Sequence, residues 1–496
     1  GIGNVTYCKP YITAKYIKTF VPKASMKKVI LLFILAPFFL LPATMAQTQD
    51  GGWIILDDIT VEGHKRTREA VVLREIPFRI GDTIPLDILA DKIIEAERQL
   101  MNTGLFSQTS ITYKDWKGAT QRIHLLIEVF ENWYLYPVPT FELADRNFNV
   151  WWKEQNRSLQ RVNVGLEVNH TNFSGWGDEL EIGFEYGYNR GFKASYDLPY
   201  INKKQTLGIG TNFQYDRNRE VNYATLNNKQ EFYRDDDKFL RRKLQLDADL
   251  VWRPELYARH IFTFEYHHEQ VDPIIIQEFN PDYFGDNKTD LRFFRLLYVY
   301  DFDFRDNRAY PWSGHRYGGE IMKDGIGVFD DRSALTLLLH ATKYWPVGKR
   351  WSFGLGGGGK YSFIRQQQAS RYNRALGFGR NRVTGFELYV LDGLDAVYFS
   401  KNVRFRLWEG NITFGKWVFL EAFRQLPFHL NLTASNDFGY VNSPFNDRPN
   451  PLNNTLLWGG GIGLDLVFYY DFVLGLRYNG NHLGDRGFFL DFEIGI

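Results

Sequence analysis

From residue 160 to residue 496, apolar and polar residues alternate one by one in segments of about ten, the period of a half-buried strand. Val162, Val164, Leu166 and Val168 alternate with Asn163, Gly165, Glu167 and Asn169. The pattern recurs at Leu244, Leu246, Ala248, Leu250 and Trp252, at Phe262, Phe264 and Tyr266, and at Tyr298, Tyr300, Phe302 and Phe304. The last segment sets Leu490, Phe492, Ile494 and Ile496 against Asp491, Glu493 and Gly495. Successive strand side chains point to opposite faces, so every segment has one greasy face and one polar face. About 16 such segments fit the region, an even number, as in a bacterial barrel whose chain ends lie on one side of the membrane. An open sheet edge in hydrocarbon leaves N–H and C=O groups unpaired at several kcal/mol each, so a first strand at 162–168 is expected to meet the last at a seam.

Connection lengths support the same architecture, because such barrels have short periplasmic turns and long outer loops. Connections around Asn189, Pro346 to Lys349 and Tyr470 are short and read as periplasmic. Those around Asp272 to Asp290, Arg365 to Ala396 and Tyr440 to Thr455 are long and read as outer.

Before the barrel the period changes. Ile54, Leu56, Ile59 and Val61 make a strand, and Thr67 is a suitable N-cap for a short helix that Pro77 closes. A second helix begins near Pro85 and buries Leu86, Leu89, Ile93, Ala96 and Leu100, until Asn102, Thr103 and Gly104 end it. Strands at 110–113 and 123–129 follow. The expected fold is therefore mainly β: one small βααββ module at 53–131, a linker at 132–159, and a transmembrane antiparallel barrel of about 16 strands at 160–496.

Composition agrees. Aromatic residues make up 17% of the 496 and glycine numbers 44, while mean hydropathy is only −0.35. The one long apolar run, from Val29 to Leu41, follows Lys27 and Lys28 and precedes Ala43 and Ala46, the layout of a signal peptide at 26–46. Residues 1–25 precede the start-like Met26 and are read as a non-native or mis-called extension. Six lysines and no acid precede Gln47, so processing there takes the formal charge from +1 to about −5. That balance disfavours a nucleic-acid partner. The single cysteine, Cys8, falls in the extension, so no disulfide or Cys-based metal site is expected. His267 and His268 are adjacent, and strand alternation sends them to opposite faces, which argues against a metal site. No nucleophile–base set or phosphate-cradling glycine loop is recognisable, so neither enzymatic chemistry nor a cofactor is expected.

Residues 53–131 resemble the polypeptide-transport-associated (POTRA) domain through Ile59, Val61, Gly63, Arg66 and Thr67, then Leu73, Arg74 and Glu75, then Gly81 and Asp82, and finally Asn102 to Phe106. The barrel resembles the BamA and TamA superfamily of outer-membrane assembly factors at three places. Asp303, Arg305, Asp306, Asn307, Pro311 and Gly314 fall at the periplasmic turn after the eighth strand. The sixth outer loop carries Gly377, Gly379, Arg380, Arg382, Val383, Thr384, Gly385 and Phe386. Asn436, Asp437 and Gly439 follow on a later strand.

The resemblance implies a Gram-negative outer-membrane protein with its POTRA domain in the periplasm. Its partners would be membrane lipid, unfolded outer-membrane clients, and periplasmic or lipoprotein accessory subunits. Clients would add a strand to the POTRA sheet and insert at the seam formed by Val162, Val164, Gly165 and Leu166 with Leu490, Asp491, Phe492 and Ile494. A two-partner secretion translocator and a plain porin are the alternatives. In the family a loop-tip arginine meets inner-wall acids. Thr384 stands at that position here, so Arg382 or Arg380 is expected to reach Asp437. The glycine run Gly354, Gly356, Gly357, Gly358 and Gly359 provides either a place for loop aromatics such as Phe386 or simple strand curvature.

Overall fold

The computed structural model describes residues 52–117, 121–143, 159, 162–187, 189–378, 381–414, 425–445, 448–468 and 472–494. The expected signal peptide, Gly379 and Arg380 lie outside the described residues, as do the side chains of Phe492 and Ile494.

The small domain contains β1 (Trp53–Glu62), α1 (Glu69–Arg74), β2 (Thr83–Pro85), α2 (Leu86–Asn102), β3 (Phe106–Lys117) and β4 (Arg122–Glu131). Its sheet has the order β2-β1-β4-β3, with β1 parallel to β4. This is the βααββ module with one short extra strand, β2. The apolar face of α2 supplies Leu89, Ala96 and Leu100 to a core shared with Ile54, Leu56, Val72 and Ile127. Gly104, at φ +72, lets the chain leave the helix. Thr67 does not cap α1. The helix starts later and has no side-chain cap bond, while the buried Thr67 hydroxyl bonds the Tyr134 hydroxyl at 2.8 Å and accepts the Asn172 amide at 2.9 Å.

A second sheet follows. It comprises β5 (Leu135–Leu143), β6 (Val162–His170), β7 (Glu179–Gly187), β8 (Arg190–Leu198) and β9 (Leu207–Asn218). A separate hairpin, β10 (Glu220–Leu226) and β11 (Lys229–Arg234), precedes β12 (Arg241–Trp252), β13 (Ala258–Val271), β14 (Asp290–Arg305), β15 (Gly314–Asp324), β16 (Ala334–Val347) and β17 (Trp351–Ser362). After a long loop containing β18 (Arg374–Leu376) and β19 (Leu391–Asp392) come β20 (Asp395–Thr413), β21 (Gln425–Asn442), β22 (Leu457–Phe468), β23 (Phe472–Asn481) and β24 (Arg486–Ile494). All pairings in this 16-stranded sheet are antiparallel between sequential strands, from β5 at one end to β24 at the other. The sheet is rolled into a barrel: Tyr310, between β14 and β15, donates to Asp465 on β22 at 2.9 Å across the interior.

Alternation sorts the faces as expected. Leu166, Leu246, Leu250, Phe262, Phe264 and Phe488 are exposed on the outside, whereas Asn163, Thr263, Glu265, Asp301 and Asp465 are buried inward. His267 stacks on Phe293 and meets Glu265, while His268 pairs with Asp290.

Two sequence expectations need correction. The segment read as a linker contains the first barrel strand, β5, which pairs with β6 from Leu135↔His170 to Leu143↔Val162. Pro137 and Pro139 obscured it, because proline cannot donate to a ladder and is confined to sheet edges, which is where β5 lies. Val162, Val164, Gly165 and Leu166 therefore sit on the second strand, and β5 faces the seam instead. The extra strand also shifts the parity of the first connections. The turn at Asn189 joins β7 to β8 at the end of the barrel away from the small domain, and the turn at 171–178 lies beside that domain.

Candidate functional site

The loop between β17 and β20 runs across the far end of the barrel and is tied to opposite walls. On one wall, Arg371 and Tyr372 reach Glu269 of β13 at 3.3 and 3.0 Å, where Arg241 of β12 also bonds at 3.2 Å. Lys360 of β17 donates to the carbonyls of Arg374 and Gly393 at 2.6 and 2.9 Å, pinching the two limbs of the loop together.

On the other wall sits the tip. Val383 and Phe386 are buried in a cluster with Leu376, Leu391, Val441 and Leu457. Thr384 donates its backbone N–H at 3.0 Å and its hydroxyl at 2.5 Å to one oxygen of Asp437. Arg382 bonds Asp491 of β24 at 2.8 Å, and Arg477 of β23 approaches that carboxylate at 3.3 Å. Glu387 takes the Gly385 N–H and the Asn479 amide, at 3.0 and 2.7 Å. Asp437 is thus the partner of Thr384, not of Arg382, whose longer side chain passes it and reaches the last strand. Charge-assisted bonds of this kind, with both partners mostly out of solvent, hold a loop far better than exposed pairs do.

Glycines make room for this contact, though not those of β17. A Cβ on Gly439 would lie 2.5 Å from the Val383 side chain, and one on Gly459 would strike the Thr384 carbonyl oxygen. Gly385, at φ +87, closes against the Gly480 carbonyl. In β17 the spaces beside Gly354, Gly356 and Gly358 are filled by Asn402, Thr342 and Tyr398, all from neighbouring strands. Phe386 packs instead beside Tyr389 and His482. The Asp437–Gly439 spacing therefore has a physical meaning: one residue grips the tip and the other admits it.

The turn after β14 is self-bonded. Arg305 forks onto Asp303 at 2.7 and 2.8 Å, Asp306 accepts the Asn307 and Trp312 N–H groups, both at 2.9 Å, and Gly314 takes φ +94. Arg404 donates to the Pro311 carbonyl and stacks 4.1 Å over Tyr310. The motif positions Tyr310 across the barrel.

Two features escaped the sequence reading. The β10–β11 hairpin folds over the mouth: Asn228 donates its N–H to Asn450 at 2.9 Å and its amide to Asn453 at 3.0 Å, and its backbone carbonyl accepts the Val390 N–H at 2.9 Å. The tandem Asn227–Asn228, both at positive φ, is the recognisable signal of such a tight hairpin. The second is a docking face beneath the barrel. Arg74 donates to the Gln205 and Arg253 carbonyls, each at 3.0 Å, and Glu75 takes Arg253 at 2.7 Å and Tyr200 at 2.7 Å. Arg68 lies 4.6 Å over Trp176. Several residues that carry the small domain's resemblance thus attach it to the barrel turns.

Burial alone would raise the Glu75 pKa, but the Arg253 guanidinium outweighs it and holds the carboxyl at about 2, against an ordinary 4.5. A depressed carboxylate stabilises docking fully above pH 4.5 and loses that contribution as pH falls towards 2, a swing of about 3 kcal/mol. Spin labels at Lys114 and Lys204 are expected to give one sharp distance at pH 7 that broadens below about pH 4. Glu75→Gln should broaden it at every pH; a sharp distance in that variant would contradict the latch.

A barrel greasy outside and charged within, crossed by its own loop and carrying an α+β domain at one mouth, is an outer-membrane β-barrel protein. The Omp85 superfamily domain model matches residues 172–467, and the POTRA model, described as a surface antigen variable number repeat, matches residues 54–132. The chain belongs to the Omp85 superfamily and carries its matched POTRA domain on the periplasmic side of the outer membrane. A search of curated protein sequences returned no match. Among solved structures, BamA from Haemophilus ducreyi lacking POTRA domains 1–3 matches with a TM-score of 0.51 at 13% identity, covering 89% of this chain and 84% of that one. CdiB from Acinetobacter baumannii gives 0.46 at 14%, covering 89% and 74%. CdiB from Escherichia coli gives 0.46 at 11%, covering 92% and 93%.

Proposed function

We propose that the protein inserts polypeptides into the outer membrane, taking a client strand on the POTRA sheet and passing it to the seam between β5 and β24. The observation that carries this reading is the state of the seam. Every other neighbouring pair in the 16-stranded sheet has a hydrogen-bonded register, and among the described residues β5 and β24 have none. An unpaired edge is normally an aggregation hazard, and here it is a template for a client hairpin. On the POTRA side the open edge belongs to β3, where Glu97 takes the Ile111 N–H at 2.8 Å. A client strand would displace that carboxylate. The loop across the lumen disfavours a plain pore.

Depleting the protein and quantifying the outer-membrane proteome tests the proposal. Insertion predicts the loss of several barrel proteins together. Loss of a single secreted protein would favour a translocator, and an unchanged proteome with altered solute uptake would favour a channel; either result overturns insertion.

A further inference from the structure

Three arginines lie directly opposite one another on adjacent strands near the outer end of the barrel. Arg190 of β8 is paired in register with Arg217 of β9, and Arg217 with Arg242 of β12. Like charges directly opposite across strands destabilise a sheet unless something neutralises them. All three share a face with outward residues two or four positions away: Arg217 with the exposed Phe213 and Tyr215, Arg242 with Leu244 and the exposed Leu246, and Arg190 with Phe192, which packs on Phe213 at 5.6 Å. The row therefore faces lipid, not the lumen.

No acid forms an ion pair with any of the three among the described residues. Asp236, on the nearby loop, pairs with Arg234 at 3.0 Å. The Arg190 and Arg217 Nε atoms are buried without a hydrogen-bond partner. Two of the three gather on Phe239, whose ring has Arg190 and Arg217 at 5.4 and 4.5 Å, beside Arg219 at 5.1 Å. A ring stacks guanidinium planes but neutralises no charge. At this height Arg on the lipid face costs only about 0–1 kcal/mol, so the row is tolerable but still lacks an anion.

We propose that Arg190, Arg217 and Arg242 bind the phosphate groups of an outer-leaflet glycolipid, with Phe239 fixing the guanidinium planes of Arg190 and Arg217. Arginine forks match phosphate oxygens in bidentate geometry, and a row spanning three strands presents several forks at headgroup level. The aromatic stripe Phe184, Phe192 and Phe213 continues from the row towards the membrane interior, where acyl chains of the same molecule lie. A soluble phosphate would use none of that stripe.

The test is native mass spectrometry of the full-length protein in detergent, titrated with bis-phosphorylated lipid A, its dephosphorylated form, or inorganic phosphate. Wild type should retain lipid A, and the triple variant R190Q/R217Q/R242Q should bind it at least ~10-fold more weakly, the loss of one or more charged hydrogen bonds. The dephosphorylated lipid should bind both proteins weakly, and inorganic phosphate should not displace the lipid. Heat-resistant gel mobility checks that the variant is folded, and the single Arg217→Gln change, at the centre of the row, gives a milder reading of the same loss. Equal retention of lipid A by wild type and the triple variant, or equal binding of the dephosphorylated form, would overturn the proposal. Displacement by inorganic phosphate would overturn the lipid assignment.

Discussion

Replacing Gly459 with alanine is expected to expel the loop tip from the inner wall. The added methyl would fall on the Thr384 carbonyl oxygen. Both are backbone-anchored, so no side chain can swing aside. Overpacking of this kind costs about 1–3 kcal/mol, and displacing the tip also breaks the Thr384–Asp437 and Arg382–Asp491 bonds. The variant should become cleavable by protease within 363–394 and should conduct ions in planar bilayers where wild type is nearly closed. Arg382→Ala removes one charge-assisted contact and should show the same changes more weakly. A Gly459→Ala protein as protease-resistant and as closed as wild type would contradict the described seating.

Covalently tying β5 to β24 is expected to abolish client handling. Val138 on β5 shares the face of the lumenal Glu167, and Gly487 and Phe489 on β24 share the face of Asp491. Cysteine at Val138 combined in turn with cysteine at each position of β24 on that same face should form a reducible bridge with the one that the closed seam brings opposite it. The oxidised protein should lose activity almost completely and regain it on reduction. If an oxidised, fully bridged protein still inserts clients at the wild-type rate, the seam is not the route.

The barrel was legible because alternation is strict wherever one face meets lipid and the other meets water, as in 244–252 and 298–305. Strand β5 was hidden for the opposite reason: Pro137 and Pro139 break the hydrogen-bonding signature while leaving the strand geometry possible at an edge. Missing it moved the seam by one strand and misplaced Asn189. The loop-tip motif and Asp437 were recognisable as chemistry. Their pairing was not, because several inward acids, including Asp437, Asp465 and Asp491, lie on neighbouring strands and only register decides which side chain each one meets. Thr384 wins Asp437 because Gly439 and Gly459 let the backbone approach. The POTRA docking face was invisible for a similar reason, since Glu75 and Arg253 are far apart in sequence and meet only when the β12–β13 turn is placed beneath the barrel.

The most direct measurement is the folding of a urea-denatured outer-membrane barrel protein into lipid vesicles with and without this protein embedded in them. Insertion at the seam predicts faster folding with the wild-type protein and no acceleration with the oxidised β5–β24 bridge. Identical folding rates in protein-free vesicles and in vesicles carrying the wild-type protein would contradict it.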